Sequence, residues 1–174
     1  MSGTPEFHFE PEPLLRRLAE AGVDFLVVGG VAVAAQGYGR STKDLDIVYA
    51  TNAANLERLG GVLVKLGARL RGIEEDVPFV PDARTLKRTT ILTLDTPLGS
   101  IDLLVDPSGA DRYDAMRERA DVIDLDGIEF RVVSLDDLLS MKRAAGRPQD
   151  VADVDALLTV RRVQRRMDGA EHQL

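Results

Sequence analysis

The apolar positions change period several times along the chain, and each change marks an element. Leu14, Leu15 and Leu18 recur at helical spacing between Glu12 and Ala21, and Gly22 closes that run. Val23 to Val28 is apolar except for Asp24, as expected of a buried strand. Gly29-Gly30 follows, then Val31 to Gln36 as a short apolar helix that must be buried. Gly37, Gly39 and Arg40 form the loop into a second strand, Leu45 to Tyr49. Asn52 is placed to cap a helix from Ala53 to Lys65, with Leu56, Leu59, Leu63 and Leu66 on one face.

Beyond Gly67 the pattern weakens. Ala68 to Gly72 reads as a weak strand, and Glu74 to Lys87 as a proline-marked loop. Thr89 to Leu94 and Ser100 to Val105 are two β-rich runs joined at Thr96-Pro97-Leu98-Gly99. A short helix is expected over Asp111 to Arg117. A hairpin follows, from Val122 to Leu125 and Glu129 to Val133, turning at Asp126-Gly127. Ser134 caps a helix through Ala145, with Asp136 and Asp137 in its first turn. Gly146-Arg147-Pro148 interrupts it, and a last helix is expected from Pro148 to Met167. The expected architecture is therefore α+β, a mixed β-sheet with flanking helices and a helical C-terminal segment. Residues 1–133 form the core of that reading and 134–174 a segment packed on it, after a loose arm up to Pro11.

Composition removes several kinds of chemistry. The chain has 174 residues with 44% hydrophobic content, enough for a real core. It contains no cysteine, which excludes disulfides and thiolate sites, and its only two histidines, His8 and His172, lie near the ends. A histidine-based zinc site or a Ser-His-Asp triad is not expected. No membrane span or secretory leader is visible, so a cytoplasmic protein is expected. The net charge of −7 argues against broad, non-specific nucleic-acid binding but allows local basic patches. One lies at Arg161, Arg162, Arg165 and Arg166 and a smaller one at Arg84, Lys87 and Arg88. A solvated helix face is the simpler reading of the first.

The stretch with the most chemistry runs from Val27 to Val48. Asp44 and Asp46 flank Leu45 on a strand, so both carboxylates point to one side. Adjacent carboxylates repel and raise each other's pKa unless a cation lies between them, and oxygen ligands of this kind suit Mg²⁺. Glycines at a strand-to-helix turn let an anion approach backbone N–H groups. Asp102, within Ser100-Ile101-Asp102-Leu103-Leu104, is a third acid in an apolar strand, costly there unless paired or metal-bound. If its strand lies beside Asp44 and Asp46, the three converge. Two would hold a nucleotide-bound Mg²⁺, while Asp102 helps hold a second ion or accepts the nucleophile's proton.

Gly29-Gly30 followed by Asp44-Leu45-Asp46, with Asp102 as third acid, resembles the hG[G/S]…DhD pattern of the nucleotidyltransferase fold of the DNA polymerase β superfamily. Leu135-Asp136-Asp137-Leu138 with Lys142, Arg147 and Asp150 further resembles a segment of AbiEii/MenT-like toxin nucleotidyltransferases, although Gln149 stands where that pattern has lysine. The resemblance spans roughly Val23 to Leu158. It implies transfer of a nucleoside monophosphate from an NTP to an acceptor hydroxyl, with the tRNA 3′ end as acceptor in MenT-like members and an antitoxin protein as partner. It also implies that Gly29 and Gly30, with Thr42, cradle phosphates, that Lys142 neutralises triphosphate charge, and that Arg147 and Asp150 position Lys142 or substrate. A protein or an aminoglycoside-type small molecule is the alternative acceptor. A degenerate, nucleotide-binding toxin–antitoxin relative is the alternative class. Lys142 at a helix C-terminal turn also suits the helix dipole, and Asp150 and Asp153 suit a helix N-terminus on structural grounds alone.

Overall fold

In the computed structural model, which describes residues 9–73 and 79–171, apolar alternation and end-capping settle into seven helices and seven strands among those residues. They run α1 (Glu12–Glu20), β1 (Phe25–Val28), α2 (Gly29–Ala35), β2 (Asp44–Tyr49), α3 (Ala53–Lys65), β3 (Arg69–Leu70) and α4 (Ala83–Arg88). Then come β4 (Ile91–Thr96), β5 (Gly99–Leu104), α5 (Tyr113–Glu118), β6 (Asp121–Leu125), β7 (Ile128–Val132), α6 (Leu135–Ala145) and α7 (Pro148–Glu171). The strands make one seven-stranded mixed sheet, ordered β3-β4-β5-β2-β1-β7-β6. β2 pairs parallel with β5 and antiparallel with β1, while β1 pairs parallel with β7. The architecture is α+β.

Register decides what each face carries. Leu45 pairs with Ile101, Asp46 with Asp102 and Ile47 with Leu103. Because side chains alternate, Leu45, Ile47, Ile101 and Leu103 share one face and are all fully buried. Asp44, Asp46 and Asp102 share the other. Leu14, Leu15 and Leu18 of α1 and Leu56, Leu59 and Leu63 of α3 belong to the same core cluster as these strands. Leu138 and Leu139 of α6, with Val154 and Leu157 of α7, join it too. Burying such apolar area is what drives the sheet and helices together. α2 touches β1, β2 and α6, which brings the glycine pair against the strand of acids.

Several elements differ from the periodicity. α4 lies inside the stretch read as loop; it has only six residues, begins at an Asp82 cap that accepts from the Thr85 N–H at 2.9 Å, and buries only Leu86. A single buried side chain cannot establish a period, so prolines dominated that reading. α2 starts on the glycines themselves, and Ala34 and Ala35 at its end are exposed, so the helix is buried only over Gly30–Val33. Small alanine faces tolerate solvent at little cost, which hydropathy does not register. β4 begins two residues later than expected, at Ile91, and α7 continues to Glu171. Leu66 is only partly buried, while Asn55 and Val62 complete the α3 core face. Most of the N-terminal arm, residues 74–78, His8 and His172 lie outside the described residues.

Asn55 is the polar exception in the core, and its partners explain it. It is 1% exposed; its Oδ1 accepts from the Asp24 N–H at 2.7 Å, and its Nδ2 donates to the Asp24 and Ala50 carbonyls at 2.9 and 2.8 Å. One side chain thus ties the entry of β1 to the exit of β2. Asn55→Ala would remove the Asn55 partner of the Asp24 N–H and the Ala50 carbonyl, while the Asp24 carbonyl keeps the Ala50 N–H, and a loss of ~2–4 kcal/mol is expected. Urea denaturation at unchanged m-value measures it.

Candidate active site

The acids come together as the register requires. Asp46 and Asp102 are direct partners on parallel strands, and Asp44 lies two residues up β2 on the same face. Burial, then the charges of Asp44 and Asp102, push the Asp46 carboxyl from its ordinary 3.8 to about 7, although Lys142 and Arg147 pull the other way. Burial also raises Asp102, with Arg71 opposing and Asp44 adding to the shift.

The glycines are there to make room. The chain leaves β1 in extended conformation at Val28 and enters α2 through Gly29 at φ +63, a left-handed conformation that favours glycine. A Cβ on Gly29 would collide with the Asp46 carboxylate, and one on Gly30 would lie 2.7 Å from Thr42 Oγ1. The Thr42 hydroxyl donates to the Asp44 carbonyl at 3.2 Å, fixing the loop that precedes the acids. Gly29, Gly30, Thr42, Asp44 and Asp46 are therefore one packed unit.

Opposite stands a buried ion network. Lys142 Nζ lies 2.9 Å from Asp150 Oδ1 and 2.9 Å from Asp153 Oδ2. Arg147 Nε reaches Asp150 Oδ2 at 2.6 Å, and Arg40 grips Asp153 through Nε and Nη2 at 2.7 and 2.8 Å. Asp153 is fully buried, Asp150 is 1% exposed and Lys142 is 6% exposed. Burial would raise Asp150, but hydrogen bonds from Arg147 and Lys142 outweigh it and hold the carboxyl at about 2. Asp153 is likewise held low, burial being outweighed by Arg40 and Lys142. With three cations and two anions the network carries one net positive charge. Gln149, the departure from the tail pattern, donates to Asp153 Oδ1 at 3.0 Å and so belongs to the same network.

Every residue singled out in the sequence, Gly29, Gly30, Thr42, Asp44, Asp46, Asp102, Lys142, Arg147 and Asp150, lines one cleft of about 640 Å³. Its lining also includes the apolar Ile91, Leu104, Pro107, Met141 and Ala145. The sequence reading missed Arg40 as a site residue and did not give Asp153 more than a helix-start role. The spacing of Asp150 and Asp153 puts them on one helix face, which was the available signal. Arg71 was also missed, since nothing local marks it. The arginines of α7 behave as a solvated face: Arg161 pairs with Asp136 at 2.9 Å, and Arg162, Arg165 and Arg166 are exposed.

Among the described residues, no three acidic or histidine side chains are gathered closely enough to grip an ion as they stand. The Arg71 guanidinium lies 2.8 Å from Asp102 and 3.5 Å from Asp44, between the acids. The donor set itself suits a hard divalent cation: oxygen ligands only, on one sheet face, with Asp46 pushed up to about 7 by burial and then by the charges of Asp44 and Asp102. Phosphate oxygens would complete such a shell.

A mixed sheet with paired glycines at the first strand-to-helix turn and acids on adjacent strands defines a nucleotidyltransferase. The chain belongs to the family described as "Nucleotidyltransferase of unknown function (DUF6036)", matched over residues 14–165. A comparison with curated protein sequences gave no match. Among solved structures, the lincosamide antibiotic adenylyltransferase LnuA with lincomycin bound is similar in fold, with TM-score 0.58, 12% identity, and coverage of 86% of this chain and 94% of that one. The antibiotic-resistance factor ANT(2'')-Ia gives TM-score 0.50 at 13% identity, covering 93% and 94%. An antigenic nucleotidyltransferase-like protein from Paracoccidioides brasiliensis gives 0.48 at 17% identity, covering 85% and 73%. At these identities the likeness is one of fold. Among the described residues no helix is long and apolar enough to cross a membrane.

The raised Asp46 pKa has a measurable consequence for the metal-free protein. The folded state holds this proton more tightly than the unfolded chain does. Asp46's contribution to stability is therefore complete below about pH 4 and is lost as pH rises through about 7. In EDTA, Asp46→Asn is expected to match the wild type near pH 4 and to exceed it by up to about 4 kcal/mol near pH 8. Thermal or urea denaturation across that range measures the difference.

Proposed function

We propose that this nucleotidyltransferase is Mg²⁺-dependent and moves a nucleoside monophosphate from an NTP to the 3′-hydroxyl of tRNA, as in the AbiEii/MenT-like toxins it resembles. The observation that carries the reading is the Asp46–Asp102 register beside Asp44, facing a buried cationic network across one cleft. Asp44 and Asp46 would hold the metal and Asp102 would share a second ion or take a proton. When bound, the metal supplies charge neutralisation and orientation of the phosphates.

The chain's own residues account for the remaining steps. Gly29 and Gly30, packed against Asp46 and Thr42, would turn backbone N–H groups at the start of α2 toward phosphate. The net positive network presents Lys142 and Arg147 to the triphosphate, and Asp150 holds both in place. The acceptor oxygen forms a bond to the α-phosphorus as the bond to pyrophosphate breaks, and the acceptor proton passes to Asp102. Burial raises that carboxyl, which makes it a better base. The apolar lining residues of the cleft suit a nucleobase. Division into a core of residues 1–133 and a helical segment of 134–174 fits this use, because the segment brings Lys142, Arg147 and Asp150.

A macromolecular acceptor is supported by α7. Its first turn lines the cleft, and its exposed Arg162, Arg165 and Arg166 lie roughly 20 Å further along the helix, within reach of an acceptor stem but not of a small molecule. A cytoplasmic toxin restrained by an antitoxin partner is the setting this reading implies. The second reading, a cationic antibiotic as acceptor, is favoured by one observation. Asp95, half exposed on β4, shares the sheet face of the acids and bonds the same Arg71 guanidinium as Asp102.

Incubation with each labelled NTP, Mg²⁺ and total tRNA, then with aminoglycosides and lincosamides, tests both. Label on tRNA that is abolished when the tRNA 3′ end is oxidised with periodate beforehand is the expected result; label on antibiotic alone selects the second reading. No labelled product and no Mg²⁺–NTP binding would overturn the assignment. Asp44→Asn and Asp46→Asn are each expected to lower kcat by at least about 10²-fold with the fold intact by circular dichroism. Lys142→Met should raise the KM for NTP, measured in the same assay at fixed acceptor.

A further inference from the structure

Arg71 stands apart from the residues that the reaction uses, yet it touches more of the acid cluster than any of them. It follows β3, a strand of two residues at the sheet edge that pairs only with β4. The Arg71 N–H donates to the Thr93 carbonyl at 3.0 Å, which holds the backbone in place. From there the guanidinium crosses β4. It reaches Asp102 Oδ1 at 2.8 Å, Asp44 Oδ2 at 3.5 Å and, on its outer side, Asp95 Oδ1 at 3.2 Å. Nη2 also donates to the Leu94 carbonyl at 3.4 Å. Asp95 is itself fixed by the Ser100 hydroxyl, which donates to it at 2.6 Å.

We propose that Arg71 is the resident counter-ion of the acid cluster, occupying the place of a divalent cation between Asp44 and Asp102 and giving it up when metal and nucleotide arrive together. The inference rests on the metal-nucleotide reading of the same cleft. Three facts carry it. A guanidinium is the one protein group that can stand in for a metal ion between two carboxylates without ever losing its charge. The side chain is 32% exposed and follows a two-residue edge strand, so its guanidinium already has access to solvent. Asp95, 51% exposed on the outer side, remains as a partner for the cation once it has let go of the inner acids. Metal alone must compete with an intramolecular cation, whereas a metal–triphosphate complex brings extra ligands of its own. Arg71 thereby makes metal occupancy depend on nucleotide and keeps the cluster neutralised between turnovers. It is a positioning residue, acting on the acids and not on the substrate.

The test uses the full chain, Mn²⁺ as a paramagnetic probe, and α,β-methylene-ATP as a non-reacting nucleotide. Mn²⁺ affinity is measured by electron paramagnetic resonance or calorimetry for wild type, Arg71→Met and Arg71→Lys. Arg71→Met removes the charge and keeps the apolar stem; it is expected to bind Mn²⁺ about tenfold or more tightly without nucleotide. The gain in affinity on adding the analogue should shrink by the same factor. Arg71→Lys keeps the charge but lacks the planar fork that reaches Asp44, Asp95 and Asp102 together, and should fall between. In EDTA the melting temperature of Arg71→Met should drop and then recover with Mn²⁺ more than that of the wild type. Unchanged or weaker Mn²⁺ binding in Arg71→Met, beside nucleotide-dependent binding by the wild type, overturns the role of Arg71. If Arg71→Met does not fold, the same comparison is read from Arg71→Lys. Absence of Mn²⁺ binding by every form, even with the analogue, overturns the metal-nucleotide reading and this inference with it.

Discussion

Repulsion among carboxylates governs the architecture around the cleft. Asp44, Asp46 and Asp102 sit on one face of adjacent strands, partly removed from water, where like charges raise each other's energy steeply. Each neighbouring feature answers that cost. Arg71 comes in from the sheet edge, Lys142 and Arg147 from the C-terminal helices, and Asp46 retains its proton to about pH 7. Concentrated negative charge of this kind on one sheet face suits a site that receives a cation.

The second ion network works in the opposite sense. Asp150 and Asp153 are almost fully buried, and each is held ionised by two cations. Removing either acid would leave the buried Lys142 with a single carboxylate partner and raise the network's excess of positive charge, which is costly. The network's effect is geometric. Arg40, from the loop before β2, and Lys142, from α6, are locked to one carboxylate on α7, so the loop carrying Thr42 and the helix carrying the lysine keep a fixed separation. Gln149 completes the cage by donating to the same aspartate. A lysine in its place would add charge to a network that already carries an excess of one.

Glycine in the first strand-to-helix turn has a more specific reason than flexibility. At Gly29 the left-handed backbone and the nearness of the Asp46 carboxylate both exclude a side chain, and at Gly30 the Thr42 hydroxyl does so. The spacing from the glycine pair to the acids is therefore a packing constraint across β1 and β2, whose antiparallel register sets Val28 opposite Asp46. The residues that resemble a motif in one dimension are contacts in three.

Much of this was legible in the chain itself. Strand alternation placed Asp44 and Asp46 on one face, end-capping located α3 and α6, and the lone acid in an apolar run pointed to Asp102, because these signals are local and periodic. The register that makes Asp102 the partner of Asp46 was not legible, since β2 and β5 are separated by two strands in sequence and meet only through the sheet order. Nor were α4, too short to show a period, or the polar anchor Asn55 in the core face of α3. Arg71 and Arg40 were invisible for the same reason: a charge in a loop or on a weak edge strand looks solvated until the fold brings carboxylates to it. The sequence determined which acids would need a cation. Only the tertiary structure decided which cations they have, because charge neutralisation acts across space and leaves no period along the chain.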